Sequence, residues 1–226
     1  MEASKKRVEM KLLELHKLSE EAVKDLTSSF GKLPKTNHAD GQYRLRRYSV
    51  VKASGQGNIT RLPNHNFNQS SKFNKFQGDV ERHFESIEGS VINSEGMKEM
   101  FHLFLQNCDI SGDTRIDVHQ MRVITLSKET QVSPEGAHQD GYDHISMIGI
   151  NRHNIKGGEI LVYNCKNKDK TNEKTPFFNR VLDAGDMIIL DDKKFWHNAN
   201  PIIAKNSKKL GYMDLFVLTA RKKSKT

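Results

Sequence analysis

Cysteine is scarce in this chain: Cys108 and Cys165 stand alone among 226 residues. Two such distant thiols cannot make the disulfide framework of a small secreted scaffold, so both read as reduced. Long apolar runs are missing too. None approaches the roughly 20 residues of a membrane span, and the N-terminus lacks the short apolar core of a secretory signal. The expected location is the cytoplasm, with no membrane partner. Without a secretory signal, the triplets Asn58-Ile59-Thr60 and Asn68-Gln69-Ser70 carry no meaning as glycosylation acceptors. No internal repeat occurs. Gly157-Gly158 is followed by neither a Lys-Ser/Thr pair nor a helical pattern, which excludes a phosphate loop and leaves a turn leading into a strand. The run Asp109 to Asp117 alternates oxygen ligands like a calcium loop. It has Thr114 at the turn glycine and Gln120 at the closing glutamate, so an acidic loop is expected. Trp196, the one tryptophan, reads as a packing residue.

What is present suits an enzyme-sized fold. The length fits one domain spanning 1–226. A hydrophobic fraction of 35% allows a packed core, although the mean hydropathy of −0.69 is polar. The net charge of +8 would suit nucleic acid or an anionic substrate. Much of the excess sits in the terminal run from Arg221 and in Lys205 to Lys209. Such runs are solvated ends, so nucleic acid is not the expected partner.

Residues 1–30 carry Val8, Leu12, Leu15, Ala22 and Leu26 near helical spacing, which predicts an N-terminal helical segment within 1–40. Tyr43 to Val51 reads as a strand and Gly55-Gln56-Gly57 as a turn. Residues 58–78 are Asn-rich and read as a loop, and 79–106 read as helices broken near Gly89 and Gly96. After Cys108 the pattern changes. Short apolar runs at 121–127, 144–150, 159–164, 187–192 and 214–220 read as strands. No long helical pattern separates them, so parallel crossovers are excluded and the sheet should be antiparallel. Helices first and strands later imply an α+β protein whose β part is a sandwich or barrel.

The stretch PEGAHQDGY (134–142) sets His138 and Asp140 two residues apart. In extended chain, residues two apart share a face, so an imidazole and a carboxylate can meet one ion. The alternative is a capped polar turn, since His, Asp and Gly favour turns. A third ligand is offered by His197, in LDDKKFWHNANPI after an apolar strand. Two His and one carboxylate take one face of an octahedral ion and leave three positions open, which suits non-haem Fe(II). Zinc more often recruits three His or cysteine.

PEGAHQDGYDHISMIGINRHNIKGGEILVY, LDAGDMIILDDKKFWHNANPI and MDLFVLT resemble blocks of the bacterial 2-oxoglutarate/Fe(II) dioxygenases of the isoleucine-4-hydroxylase-like family. Tyr43 to Ser49 is similar to that family's N-terminal signature, and His119-Gln120-Met121-Arg122 to the strand before its metal motif. The resemblance runs in blocks from about 40 to 220. It implies a double-stranded β-helix, a jelly-roll or cupin-like barrel with core strands over 118–221 and helices outside. It implies His138, Asp140 and His197 as iron ligands, with 2-oxoglutarate and O2 as co-substrates and succinate and CO2 as products. The implied substrate is a free L-amino acid or similar small polar metabolite. The family's late-strand arginine, which would hold the far carboxylate of 2-oxoglutarate, is replaced by Met213. Arg221 and Arg152 are the expected substitutes. Arg122 and Tyr142 are expected at the substrate, with Arg46 and Arg47 as further cations. The loss at Met213 leaves a second reading, a non-catalytic cupin-like binding or sensing module. Asp191-Asp192-Lys193-Lys194 is expected as a salt-bridged turn beside His197.

Overall fold

The structure is a computed structural model. It describes residues 13–53, 58–63, 65–108, 110, 114–164 and 175–222. Gly55-Gln56-Gly57, Cys165 and most of Asp109 to Asp113 lie outside the described residues.

The described chain is mostly antiparallel β with few helices. A seven-stranded sheet is built from β1 (Leu13–Lys17), β2 (Arg44–Ala53), β3 (Ile59–Arg61), β4 (Thr114–Thr125), β5 (His144–His153), β9 (Asp186–Asp191) and β12 (Gly211–Ala220). Its order is β1-β9-β5-β12-β4-β2-β3. A second sheet joins β7 (Ile160–Asn164), β8 (Phe178–Arg180) and β10 (Phe195–Ala199) in the order β10-β7-β8, and β6 (Ile155–Gly157) pairs with β11 (Ile202–Ala204). Each named strand pairing is antiparallel.

Period-2 alternation divides the seven-stranded sheet into two apolar faces. Val51, Ile116, Val118, Ile148, Ile150, Ile189, Phe216 and Leu218 face the helices and pack on Leu26, Phe101 and Phe104. Met121, Val123, Ile145, Met147, Ile188, Leu190 and Leu215 face the smaller sheets and pack on Ile155, Ile160, Val162, Phe195 and Ile202. The seven-stranded sheet and the two smaller ones thus enclose one core, while helices seal the other face.

The helices follow their local signals. Helix α1 (Glu20–Thr27) starts at Ser19, whose Oγ accepts from the Ala22 amide, and Glu20 and Glu21 occupy its first turn. Helix α2 (Gly89–Ile92) is one turn. Helix α3 (Glu95–Asn107) is capped by Ser94 and buries Met97, Met100, Phe101 and Phe104, one apolar stripe. The break expected near Gly96 falls at Asn93-Ser94, and Gly96 itself lies in the first turn of α3. A Cβ there would meet the Ala22 carbonyl oxygen at 2.6 Å, so glycine is what lets α3 approach α1.

Several expectations are corrected. Leu13–Lys17 is not helical. It is an edge strand on β9, where Leu15 lies opposite Ile188, and Lys17 Nζ donates to Asp186 at 2.9 Å. Five residues this close to Ser19, where α1 begins, gain more from a sheet edge than from an isolated helical turn. Residues 79–88 hold no helix. Strand β2 extends the sheet N-terminal to 118, and Thr114 to Asp117 begin β4 instead of forming an acidic loop. The runs at 144–150 and 214–220 lie wholly in strands, and those at 121–127, 159–164 and 187–192 do so over 121–125, 160–164 and 187–191.

Candidate metal centre

His138 and His197 are brought together by backbone. His138 N donates to His197 O, and His197 N donates to His138 O, each at 2.9 Å. This single antiparallel bridge pins the loop 134–142 to β10 and sets the two imidazole centroids 4.4 Å apart. Asp140 completes the group. Its Oδ1 lies 3.4 Å from His138 Nε2 and its Oδ2 lies 3.5 Å from His197 Nε2. One atom from each residue falls within 4.8 Å of the others.

Neighbouring groups hold these side chains in place. His138 Nδ1 sits 2.8 Å from Gly136 O, which turns Nε2 toward Asp140. Buried Asp192 accepts the backbone N–H groups of Asp140, Gly141 and Tyr142 at 3.1, 2.8 and 3.0 Å. Gly141 has φ +84°, and a Cβ there would strike the Phe73 ring at 2.6 Å, so the residue after Asp140 must be glycine. Gln69 Nε2 donates to Asp140 Oδ1 at 2.8 Å.

The charges fit a cation. Burial opposes an imidazolium at His138, but the bond and charge of Asp140 outweigh it and raise the pKa to about 9. Burial likewise opposes ionisation of Asp140, but His138, His197 and Gln69 together hold it well below the usual carboxylate range. His197 Nε2 is buried with no hydrogen-bond partner, 3.5 Å from both Asp140 and Asp192. An ion seated among these atoms would satisfy that nitrogen, and two imidazoles with one carboxylate are the donor set of non-haem Fe(II) sites.

The triad opens into a cavity between the two sheets. Met121, Ile145, Met147, Leu215 and Val217 form apolar walls. Three buried guanidinium groups, of Arg44, Arg46 and Arg82, also face it. Arg44 donates to Asp40 at 2.7 Å. Arg46 lies 4.0 Å from the same carboxylate, and burial together with the charge of Arg44 pushes its pKa down to about 9, still protonated at neutral pH. His119, wedged between Tyr48 and Phe67, is held neutral by burial and the nearby arginines.

The sequence model of the 2OG-Fe dioxygenase family matches residues 27–219. The chain belongs to the 2OG-Fe dioxygenase family. It is a 2-oxoglutarate-dependent oxygenase that uses Fe(II), 2-oxoglutarate and O2. Solved structures agree on the fold. A bsmA homolog from Methylobium petroleophilum is 23% identical with a TM-score of 0.75, over 90% of this chain and 82% of that one. IDO from Bacillus thuringiensis is 16% identical with a TM-score of 0.70, over 93% and 91%. The Fe(II)/α-ketoglutarate-dependent dioxygenase TqaL is 15% identical with a TM-score of 0.65, over 90% and 76%. A search of curated protein sequences gives no significant match. No described helix is long and apolar enough to cross a membrane.

The dioxygenase places the other expected residues less uniformly. Tyr142 lines the cavity, and its hydroxyl donates to Asp117. Arg221 is exposed at the surface, 4.6 Å over the outer Tyr142 ring, reaching only the Gly141 carbonyl. Arg122 makes a two-pronged pair with Asp214 at 2.6 and 2.8 Å, stacked on Tyr212 away from the cavity. Arg47 points outward to Glu88 and Glu85. Arg152 donates to Gly157 O, while its Nη1 is buried without a partner; a Cβ on Gly158 would lie 3.1 Å from that nitrogen and 3.3 Å from Met213 Sδ. Neither Arg122, Arg152 nor Arg221 lines the cavity. The turn at 191–194 is salt-bridged through Asp191 and Lys194, while Asp192 turns inward to the metal loop.

Sequence reasoning missed Gln69, Arg82 and Glu135, all lining residues. Gln69 lies in the Asn-rich loop and Arg82 in a stretch expected to be helical. The Arg44/Arg46 alternation in β2 was the available signal, since period 2 sends both to one face.

Proposed function

We propose that His138, Asp140 and His197 hold the Fe(II) of this dioxygenase, and that it hydroxylates a free L-amino acid or similar small polar metabolite, releasing succinate and CO2. The observation that carries this reading is the buried, unpartnered His197 Nε2 facing Asp140, in a cavity with apolar walls and buried guanidinium groups. We read the enclosed sheets as a double-stranded β-helix in one domain, with triad residues from β10 and the loop before β5.

Iron with 2-oxoglutarate and O2 supplies an oxidant strong enough to replace a C–H bond by C–OH. The chain's own residues do the rest. Gly136 and Asp192 fix the ligand geometry, so nothing must reorganise when the ion arrives. Gln69 holds Asp140 Oδ1 ionised and oriented. Met121, Met147, Leu215 and Val217 exclude water from the reacting carbon and restrict its approach. Guanidinium groups in this setting favour anionic ligands. Of the two arginines expected at 2-oxoglutarate, Arg152 keeps a buried, unpartnered Nη1 beside Met213 but does not line the cavity, so Arg44 and Arg46, which do, are the better anchors for its far carboxylate. Arg221 is too far toward solvent for that role.

The test is succinate release from 2-oxoglutarate by Fe(II)-loaded protein under air, across the common L-amino acids. Substrate-stimulated succinate that disappears in His138→Ala supports the assignment. Turnover unchanged by His138→Ala overturns it.

A further inference from the structure

Two further residues that line the cavity each hold a buried side-chain atom without a partner, and they carry opposite charge. Arg82 is 2% exposed, and its Nε has no hydrogen-bond partner. Its guanidinium stacks 4.5 Å over Phe67, and Nη2 reaches only Gln69 Oε1 at 3.5 Å. The Glu135 side chain is 8% exposed, and its Oε2 accepts no hydrogen bond. The nearest cation to Oε2 is Arg44 Nη1 at 3.9 Å, and Arg44 is already bonded to Asp40. Both residues line the cavity that holds the triad. The charge of Asp140 acts on Arg82, and that of Glu135 acts on both Arg82 and His138.

An unsatisfied buried polar atom destabilises the fold, and more so when it is charged. A donor and an acceptor left open in one cavity therefore describe the ligand that would satisfy both. That ligand carries an anionic group and a cationic one. 2-Oxoglutarate meets only half of this requirement. It has no ammonium, and a carboxylate beside Glu135 would be repelled. The pair thus separates substrate from co-substrate in a shared cavity.

We propose that Arg82 and Glu135 are specificity-determining residues for a zwitterionic substrate. Arg82 receives the carboxylate, Glu135 receives the ammonium, and the apolar walls take the side chain. This rests on the reading of the cavity as the dioxygenase's substrate site.

The test is calorimetric titration of Fe(II)-loaded protein with 2-oxoglutarate under anaerobic conditions. The twenty common L-amino acids are the probes. Each binder is then compared with its carboxamide and its N-acetyl derivative. At least one amino acid is expected to bind, and both derivatives to bind about tenfold weaker or worse. In Arg82→Gln the gap between acid and carboxamide should close, and in Glu135→Gln the gap between free and acetylated amine should close. The derivative series uses unaltered protein, so it decides the matter even if a variant does not fold. Derivatives that bind as tightly as their parents, or no amino acid bound by protein that holds iron and releases succinate, overturn the pair while leaving the iron assignment intact. Failure to bind iron overturns both.

Discussion

On β12, Phe216 and Leu218 point to the helices, whereas Leu215, Val217 and Thr219 point to the cavity. On β4, Val118 faces the helices and His119 and Met121 face the cavity. The two faces of one sheet use the same strands for different ends. The helical face is apolar and close-packed around Phe30, Phe101 and Phe104, with no described arginine buried in it. The cavity face carries buried histidines, arginines and carboxylates that would destabilise the fold without partners. The difference teaches where substitutions should act: stability on one side, ligand binding on the other.

The largest break expected in this division is at the triad. His197→Ala or Asp140→Ala should weaken Fe(II) binding more than about 100-fold, beyond the loss typical of outer-shell partners, and remove succinate formation, while circular dichroism stays native-like. Next comes Phe104→Ala on the helical face. It should lower unfolding free energy by about 3–5 kcal/mol in denaturant titration and leave iron affinity of the folded fraction unchanged. A smaller effect is expected at Asp192→Asn. The amide keeps one acceptor oxygen where the carboxylate gives two, so the 140–142 loop loosens. Iron affinity should fall by about 10–100-fold in a chelator competition.

The smallest effect is a pH dependence of the metal-free protein. His138 sits at about 9, above the ordinary 6.5. Its stabilisation is therefore complete below about pH 6.5 and is lost as pH rises through 9. Asp140, held below its ordinary 3.8, contributes above that value and loses its contribution on acidification. Metal-free protein should melt lower at about pH 9 than at about pH 6.5, by on the order of a few degrees. Bound iron needs His138 deprotonated, so it should abolish this fall in a thermal scan.

The same division explains what could be read in the chain beforehand. Strands 144–150, 187–192 and 214–220 were legible because both of their faces are apolar, giving continuous runs of Ile, Leu, Val, Met and Phe. The triad was legible because His138 and Asp140 sit two apart between glycines, and His197 follows an apolar strand. Strand β1 was not legible, because Leu12 and Leu15 suit a helical repeat while Leu13 and Leu15 suit an extended one, and only pairing with β9 decides. Arg82 and Glu135 were hidden for a related reason. They lie in irregular chain, where no periodicity aims a side chain, and long-range packing alone brings them into one cavity. Arg122 and Arg221 show the converse: sequence neighbours of site strands that alternate or stack outward onto Asp214, Tyr212 and Tyr142.

The most direct measurement is anomalous scattering at the iron edge from crystals grown anaerobically with Fe(II). The account predicts one iron peak at bonding distance from His138 Nε2, an Asp140 oxygen and His197 Nε2, inside the cavity lined by Arg82 and Glu135. A peak elsewhere, or ordered triad side chains with no iron between them at saturating metal, would contradict it.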